Sequence, residues 1–296
     1  MLLVTPSFFF ILLTFSVGAD LGFEDCERFL KHYMQKTDLE TLTNDYLASH
    51  ISEALRVRQV VPWGRQIPDI MFLNDVLPFA SLTEPREFWR SWWSDQMLDL
   101  VTCMGPISAC EPCQDVECAV NRLNDVAWGN ITFVASPPNM INSYSIFQTL
   151  ERGNSSCSGL AIYLTAALRS VGVPARVTGV PHWSGCQSDA DPKCGNHNWV
   201  EAFIPGKGWS YIDQQRRGET GHSVPLNQSW FDDLVRRMDG TENHTVYATS
   251  FADPIDLKMY SDYFIGEGVK EGGRFPLAWD WADRSINAWN VTGSYV

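Results

Sequence analysis

The sequence predicts an α+β fold, with helices first and a buried helix followed by antiparallel strands later. Three observations carry this. Helical periodicity dominates the chain up to residue 110. The run Gly159–Arg169 is apolar on nearly every face, which marks a helix inside a core. Two alternating segments, 197–204 and 209–213, flank Pro205-Gly206-Lys207-Gly208 and read as a β-hairpin.

The elements follow in order. Residues 24–58 read as helix. Phe29, Leu30 and Tyr33 share a face of a first segment, and Leu39, Leu42, Tyr46, Leu47 and Ile51 recur at helical spacing in a second. Asp38 reads as the cap of that second segment. Val61-Pro62-Trp63-Gly64 breaks the run, and Pro68 opens a short helix to Leu77. Thr83 reads as the cap of another helix, with Pro85 in its first turn and Phe88, Trp89, Trp92 and Leu98 facing inward. Residues 103–118 hold four cysteines and two prolines and read as a stapled loop, followed by helix to residue 128. The Gly159–Arg169 helix stops at Val171-Gly172 with Pro174 beyond, and Ala175–Val180 is a short strand. Phe275 to Val291 is an aromatic tail expected to dock on the core.

Composition narrows the function. The 296 residues carry 22 Lys+Arg against 35 Asp+Glu, a net charge of −13. So acidic a surface repels phosphate backbones, which excludes nucleic-acid partners. No apolar run reaches the roughly 20 residues needed to span a bilayer. Residues 1–19 are uncharged, with an apolar stretch Phe8–Leu13 and small residues Val17 and Ala19 ahead of Asp20. They read as a secretory signal peptide. Asn130, Asn154, Asn227, Asn243 and Asn290 each head an N-glycosylation sequon, where chance predicts about two. The expected location is therefore extracellular or the secretory lumen. There the eight cysteines should mostly pair. Cys110-x2-Cys113 could instead start a zinc site, but no histidine stands at finger spacing, and no metal is expected. If one cysteine stays a thiol for chemistry, seven remain, so one more is free or paired between chains.

One constellation carries chemistry. Cys157 stands at the head of the apolar helix. Ala166-Ala167-Leu168-Arg169-Ser170-Val171-Gly172-Val173-Pro174-Ala175-Arg176-Val177 follows, then His197-Asn198-Trp199-Val200-Glu201 and Gly208-Trp209-Ser210-Tyr211-Ile212-Asp213. This order and local sequence resemble the transglutaminase-like superfamily, in the manner of a single-core bacterial member. The resemblance covers residues 125–250, with 20–124 as an N-terminal helical layer and 251–296 as an extension docked on the core. It implies a papain-like core in which the helix bearing Cys157 packs on an antiparallel sheet bearing His197 and Asp213. It also implies that Cys157 is the nucleophile, His197 the base and Asp213 the orienting acid.

The chemistry of these residues agrees. A thiolate attacks carbonyls where a thiol does not. The unpaired N–H groups and partial positive charge of a helix N-terminus favour that anion, and a neighbouring imidazolium lowers the thiol pKa further. A carboxylate on the far ring nitrogen fixes the tautomer. His197 and Asp213 can share a face of the hairpin only if its loop has an odd count or a glycine bulge. In that reading the even positions Val200, Ala202, Ile204 and Ile212 form the core face. An oxyanion also needs donors. The Cys157 backbone N–H is one, and Trp128 and Gln148 are side-chain candidates.

Around this core, Cys186 and Cys194 bracket a short loop before His197 and are expected to form a disulfide on the cleft rim. Asp189 and Asp191 within it offer weak Ca²⁺ ligands; otherwise no cofactor is expected. Trp183 and Trp199, with Trp209 and Trp230, are candidates for an aromatic rim. A glycan on Asn154, three residues before Cys157, would obstruct entry unless it faces away. The expected function is acyl transfer from amide bonds of a protein, peptide or glycoprotein through a thioester, ending in transamidation or hydrolysis. A catalytically silent binding protein on the same fold is the alternative. An arylamine N-acetyltransferase has the same residue order, but Glu151-Arg152-Gly153-Asn154 lacks its Arg-Gly-Gly.

Overall fold

The computed structural model describes residues 21–104, 110–129, 131–135, 143–184, 195–213, 224–264, 272–277 and 282–296. The expected signal peptide, the Asn130 sequon, the Cys186–Cys194 pair and the Asp189/Asp191 loop lie outside them. Among the described residues no helix is long and apolar enough to cross a membrane.

The N-terminal layer is helical: α1 (Phe23–Tyr33), α2 (Lys36–Thr41), α3 (Asn44–Val60), the turn α4 (Asp69–Met71) running into a π turn at Phe72–Val76, α5 (Trp89–Thr102) and α6 (Val116–Val126). Strand β1 (Thr132–Phe133), helix α7 (Ile146–Arg152) and strand β2 (Asn154–Ser155) lead to α8 (Cys157–Ser170). Then come β3 (Ala175–Val180), β4 (His197–Ile204), β5 (Gly208–Ile212), α9 (Asp232–Val235), β6 (Tyr247–Ser250), α10 (Ser261–Phe264), β7 (Gly272–Arg274) and β8 (Asn287–Asn290). Six strands form one antiparallel sheet in the order β5-β4-β3-β6-β8-β7. The stretch after residue 250 thus supplies two strands to that sheet. Helix α8 packs on β3 and β4 and is covered from the other side by α5, α6 and α7. Every residue of α8 after Cys157 is buried, as its uniformly apolar sequence demands.

The helical layer departs from the sequence reading at several points. The stretch 24–58 is three helices. Asp38 lies inside α2, where its carboxylate takes the Arg86 guanidinium at 3.0 and 3.1 Å, and Thr43 caps α3. Thr83-Glu84-Pro85 is not helical. The Glu84 carboxylate accepts from the Ser81 and Leu82 N–H groups, closing a turn that delays α5 until Trp89. The face of α5 shifts with its start: Trp89, Trp93 and Leu98 are buried, whereas Phe88 and Trp92 are 54% and 44% exposed.

The stapled loop holds two disulfides, Cys103–Cys110 and Cys113–Cys118. The Arg122 guanidinium braces it by donating to the Leu100, Val101 and Glu111 carbonyls. The cysteines outside disulfides among the described residues are Cys26 and Cys157. Cys26 fits the odd thiol left by the parity count. It lies on the buried face of α1, and desolvation pushes its thiol up to about 12, so it is inert at neutral pH.

Both faces of β4 are buried, not only the even one. On the odd face the Arg176 Nε donates to Glu201 at 2.7 Å, and the Tyr295 hydroxyl donates to the other Glu201 oxygen at 2.5 Å. Trp199 Nε1 donates to the Tyr295 hydroxyl at 2.8 Å. A residue near the end of the chain therefore completes the polar core beneath the hairpin.

Candidate active site

Helix α8 begins at Cys157 because Ser156 caps it, its hydroxyl accepting from the Gly159 N–H at 3.5 Å. Cys157 is the first helical residue, so its N–H lies outside the helical ladder, at the positive end of the helix. The side chain is partly exposed, the one residue of α8 that reaches the surface. His197 opens β4 opposite Val180, and Asn198 sits opposite Gly179.

The hairpin brings the acid to the base. Ile204 pairs with Gly208 across a loop of Pro205, Gly206 and Lys207, an odd count. Gly206 carries the positive φ of 82° that this turn needs, and the Lys207 N–H closes it on the Ile204 carbonyl at 2.9 Å. With that loop, residues 197 and 213 fall on the same face. His197 Nε2 lies 3.3 Å from Asp213 Oδ1, both side chains buried. The other ring nitrogen is left for the Cys157 thiol, which bonds to His197. The structure thus brings Cys157, His197 and Asp213 into one hydrogen-bonded chain.

Electrostatics set the protonation states. Burial alone would keep the Cys157 sulfur protonated. The hydrogen bond and charge of His197, joined by the Asn198 backbone N–H and the Ser158 hydroxyl, outweigh burial and hold the thiol below its ordinary pKa. For His197, burial disfavours the cation, but hydrogen bonds to Asp213 and Cys157 outweigh it and push the imidazole up to about 9. The contact that lowers the thiol also raises the imidazole, so each group favours the charged form of the other, and the two titrations belong to the pair.

The other candidates are placed differently. The Trp128 indole N–H donates to the Asn124 carbonyl at 2.7 Å and its ring stacks on Tyr163, so that donor is spent inside the helical layer. The Gln148 side-chain oxygen accepts from the Ser145 N–H at 3.1 Å in a capping box of α7. Trp183 and Trp199 are not on a rim: both are buried, stacked nearly parallel with centroids 6.2 Å apart. The exposed aromatic beside the site is Trp230, 51% exposed, with its ring 5.3 Å from that of His197. Among the sequons, Asn227 and Asn243 are exposed, while Asn154 and Asn290 are half-buried. Asn154 donates to the Arg152 carbonyl at 3.0 Å. Among the described residues no cluster of three metal-binding side chains forms.

Sequence reasoning did not find three further polar residues. Asn198 Nδ2 donates to Ser158 Oγ at 2.7 Å, tying the residue after the base to the residue after the nucleophile. Ser229 Oγ donates to Asp213 Oδ2 at 2.5 Å. Chain adjacency was the available signal for Ser158 and Asn198. Nothing in spacing or pattern connects Ser229 to Asp213.

No curated protein sequence matches the chain. Solved structures that resemble it include a candidate cysteine protease from Cytophaga hutchinsonii, 21% identical over 44% of this chain and 40% of that one, TM-score 0.30. A candidate protease from Parabacteroides distasonis is 13% identical over 69% of this chain and 30% of that one, TM-score 0.32. Red sea bream transglutaminase is 10% identical over 73% of this chain and 50% of that one, TM-score 0.41. The chain thus spans half or less of the length of each. The model of the transglutaminase-like superfamily matches residues 108–214, a span that contains Cys157, His197 and Asp213. The likeness to the transglutaminase-like superfamily thus holds for that core, residues 108–214.

Proposed function

We propose that the protein is a secreted cysteine-dependent acyl-transfer enzyme acting on amide bonds of proteins or peptides. The observation that carries this reading is the hydrogen-bonded chain from the Cys157 thiol at the tip of α8 through His197 to Asp213. In the proposed cycle the Cys157 thiolate attacks the amide carbonyl carbon. The oxyanion forms against the Cys157 backbone N–H at the helix end. The C–N bond breaks, the leaving amine takes its proton from the His197 imidazolium, and a thioester remains. An amine or water then attacks the thioester and gives its proton to neutral His197, and the thiolate is restored. Asp213 holds the ring orientation throughout. The cycle draws only on the chain's own residues. Two disulfides fit the oxidising compartment that secretion implies.

The test is alkylation. Iodoacetamide at pH 6 should label Cys157 rapidly in the wild type and slowly in His197→Ala. A glutamine peptide offered with a labelled amine then separates amine transfer from hydrolysis. Cys157→Ser should fold and lose turnover. A Cys157 that reacts no faster than a free thiol, independently of His197, would overturn the enzyme reading and favour a silent scaffold.

A further inference from the structure

The segment after the hairpin reaches back onto the triad. Asn227 lies beside β5 and pairs with it like a fragment of strand. Its N–H donates to the Tyr211 carbonyl at 2.9 Å, and its side-chain oxygen accepts from the Tyr211 N–H at 2.9 Å. Its Nδ2 lies 3.4 Å from Ser210 Oγ. To make these contacts Asn227 adopts the left-handed conformation, φ 58°, which asparagine tolerates better than most residues. Two residues on, Ser229 delivers its hydroxyl to Asp213 Oδ2.

Asp213 is buried and follows the end of β5, so ladder bonds do not fix its side chain. One carboxylate oxygen faces His197 and the other faces Ser229. The two contacts together define the carboxylate plane. Among the described residues, the titratable groups facing His197 are Cys157 from α8 and Asp213 from the hairpin; its other close neighbours there, Trp199, Trp230 and Phe231, are uncharged.

The geometry points to Ser229 as a positioning residue, docked by Asn227, that orients the Asp213 carboxylate and through it the His197 ring. This rests on the catalytic reading of the triad. Its consequence for the cycle is that Ser229 acts through Asp213 and touches neither substrate nor sulfur.

The experiment follows the His197 ring titration by NMR in the full-length protein, together with the iodoacetamide rate at Cys157. Ser229→Ala removes the hydroxyl. Ser229→Thr keeps it, and Ser229→Val is the isostere of Thr without it, so the Thr/Val pair remains informative if Ala does not fold. The expected result is an upward shift of the His197 titration in the Ala and Val variants, because Asp213 then shares its charge with His197 alone. Turnover in those variants should fall ~10-fold, the scale of one hydrogen bond to a charged group, at unchanged KM. Thr should restore both. Ala and Val variants that titrate and turn over like the wild type would overturn the assignment. If wild-type Cys157 shows no His197-dependent reactivity, the enzyme reading fails instead. The ring titration still reports on Ser229 in that case, because it needs no turnover.

Discussion

Gly179 is the place where a single added carbon should reach the nucleophile. It pairs with Asn198 across β3 and β4. A Cβ built there would meet Asn198 Oδ1 at 2.0 Å and the His197 carbonyl oxygen at 2.8 Å. The carbonyl belongs to the ladder and cannot retreat without opening the pairs on either side, Val180–His197 and Thr178–Trp199. The Asn198 carboxamide must therefore swing away. In doing so it loses its 2.7 Å bond to Ser158, and both residues are buried. Breaking a buried hydrogen bond costs ~1–3 kcal/mol. Forcing an extra carbon into a packed site costs ~1–3 kcal/mol. Gly179→Ala should therefore destabilise by ~2–6 kcal/mol, a large share of the ~5–15 kcal/mol typical of a folded domain. Urea unfolding would read this as a lower midpoint at unchanged slope. A second readout is chemical. Ser158 helps hold the Cys157 thiol down, so loss of its support should move the alkylation profile of Cys157 to higher pH. A loss below ~1 kcal/mol with an unchanged alkylation profile would show that Asn198 has room to relax and that the Ser158 link does not tune the sulfur.

Three other outcomes follow from the same structure. His197 is raised from its ordinary 6.5 to about 9, so its contribution to stability is complete below about pH 6.5 and is lost as pH rises through 9. kcat/KM should fall along the same alkaline limb, and a pH–rate profile together with unfolding at pH 6, 8 and 10 checks both. Deleting Lys207 makes the hairpin loop even and turns Asp213 to the opposite face. Turnover should drop by roughly 10^4-fold, the scale seen when a triad loses its acid, while far-UV circular dichroism stays near wild type. Glu201→Gln leaves the buried Arg176 without its counter-charge and should cost ~3–5 kcal/mol, whereas replacing both residues by apolar ones should recover much of that. Thermal melts of the single and double variants decide it.

The parts of the fold legible in the sequence were those set by periodicity and stop signals. Helix α8 was visible because its apolar run and its Val171-Gly172 stop agree, and the hairpin because alternation flanks a Pro-Gly turn. The odd loop was one of two solutions, with a glycine bulge, that parity allowed once the resemblance required His197 and Asp213 to meet. The site was legible as far as Cys157, His197 and Asp213, which local sequence marks. The start of α5 was hidden because the Glu84 side chain, not the backbone pattern, decides where that turn closes. Trp183 and Trp199 looked like a rim because linear proximity to His197 says nothing of depth. Their burial depends on Phe231 and Tyr295, which arrive from distant stretches of chain. The odd face of β4 was hidden for the same reason. Glu201 reads as solvent-facing until Arg176 and Tyr295 meet it.

Helix α8 is wrapped on every side, and a close-packed surround does not yield to small pushes. The sulfur is thus anchored to a helix whose remaining residues are all buried. Whatever give is needed to admit a bulky polypeptide must come from the opposite wall, where Trp230 stands half in solvent on the loop that also bears Ser229. Accommodation and alignment would then be handled by the same few residues, so a substrate that displaces that loop too far would loosen the very carboxylate its own reaction requires.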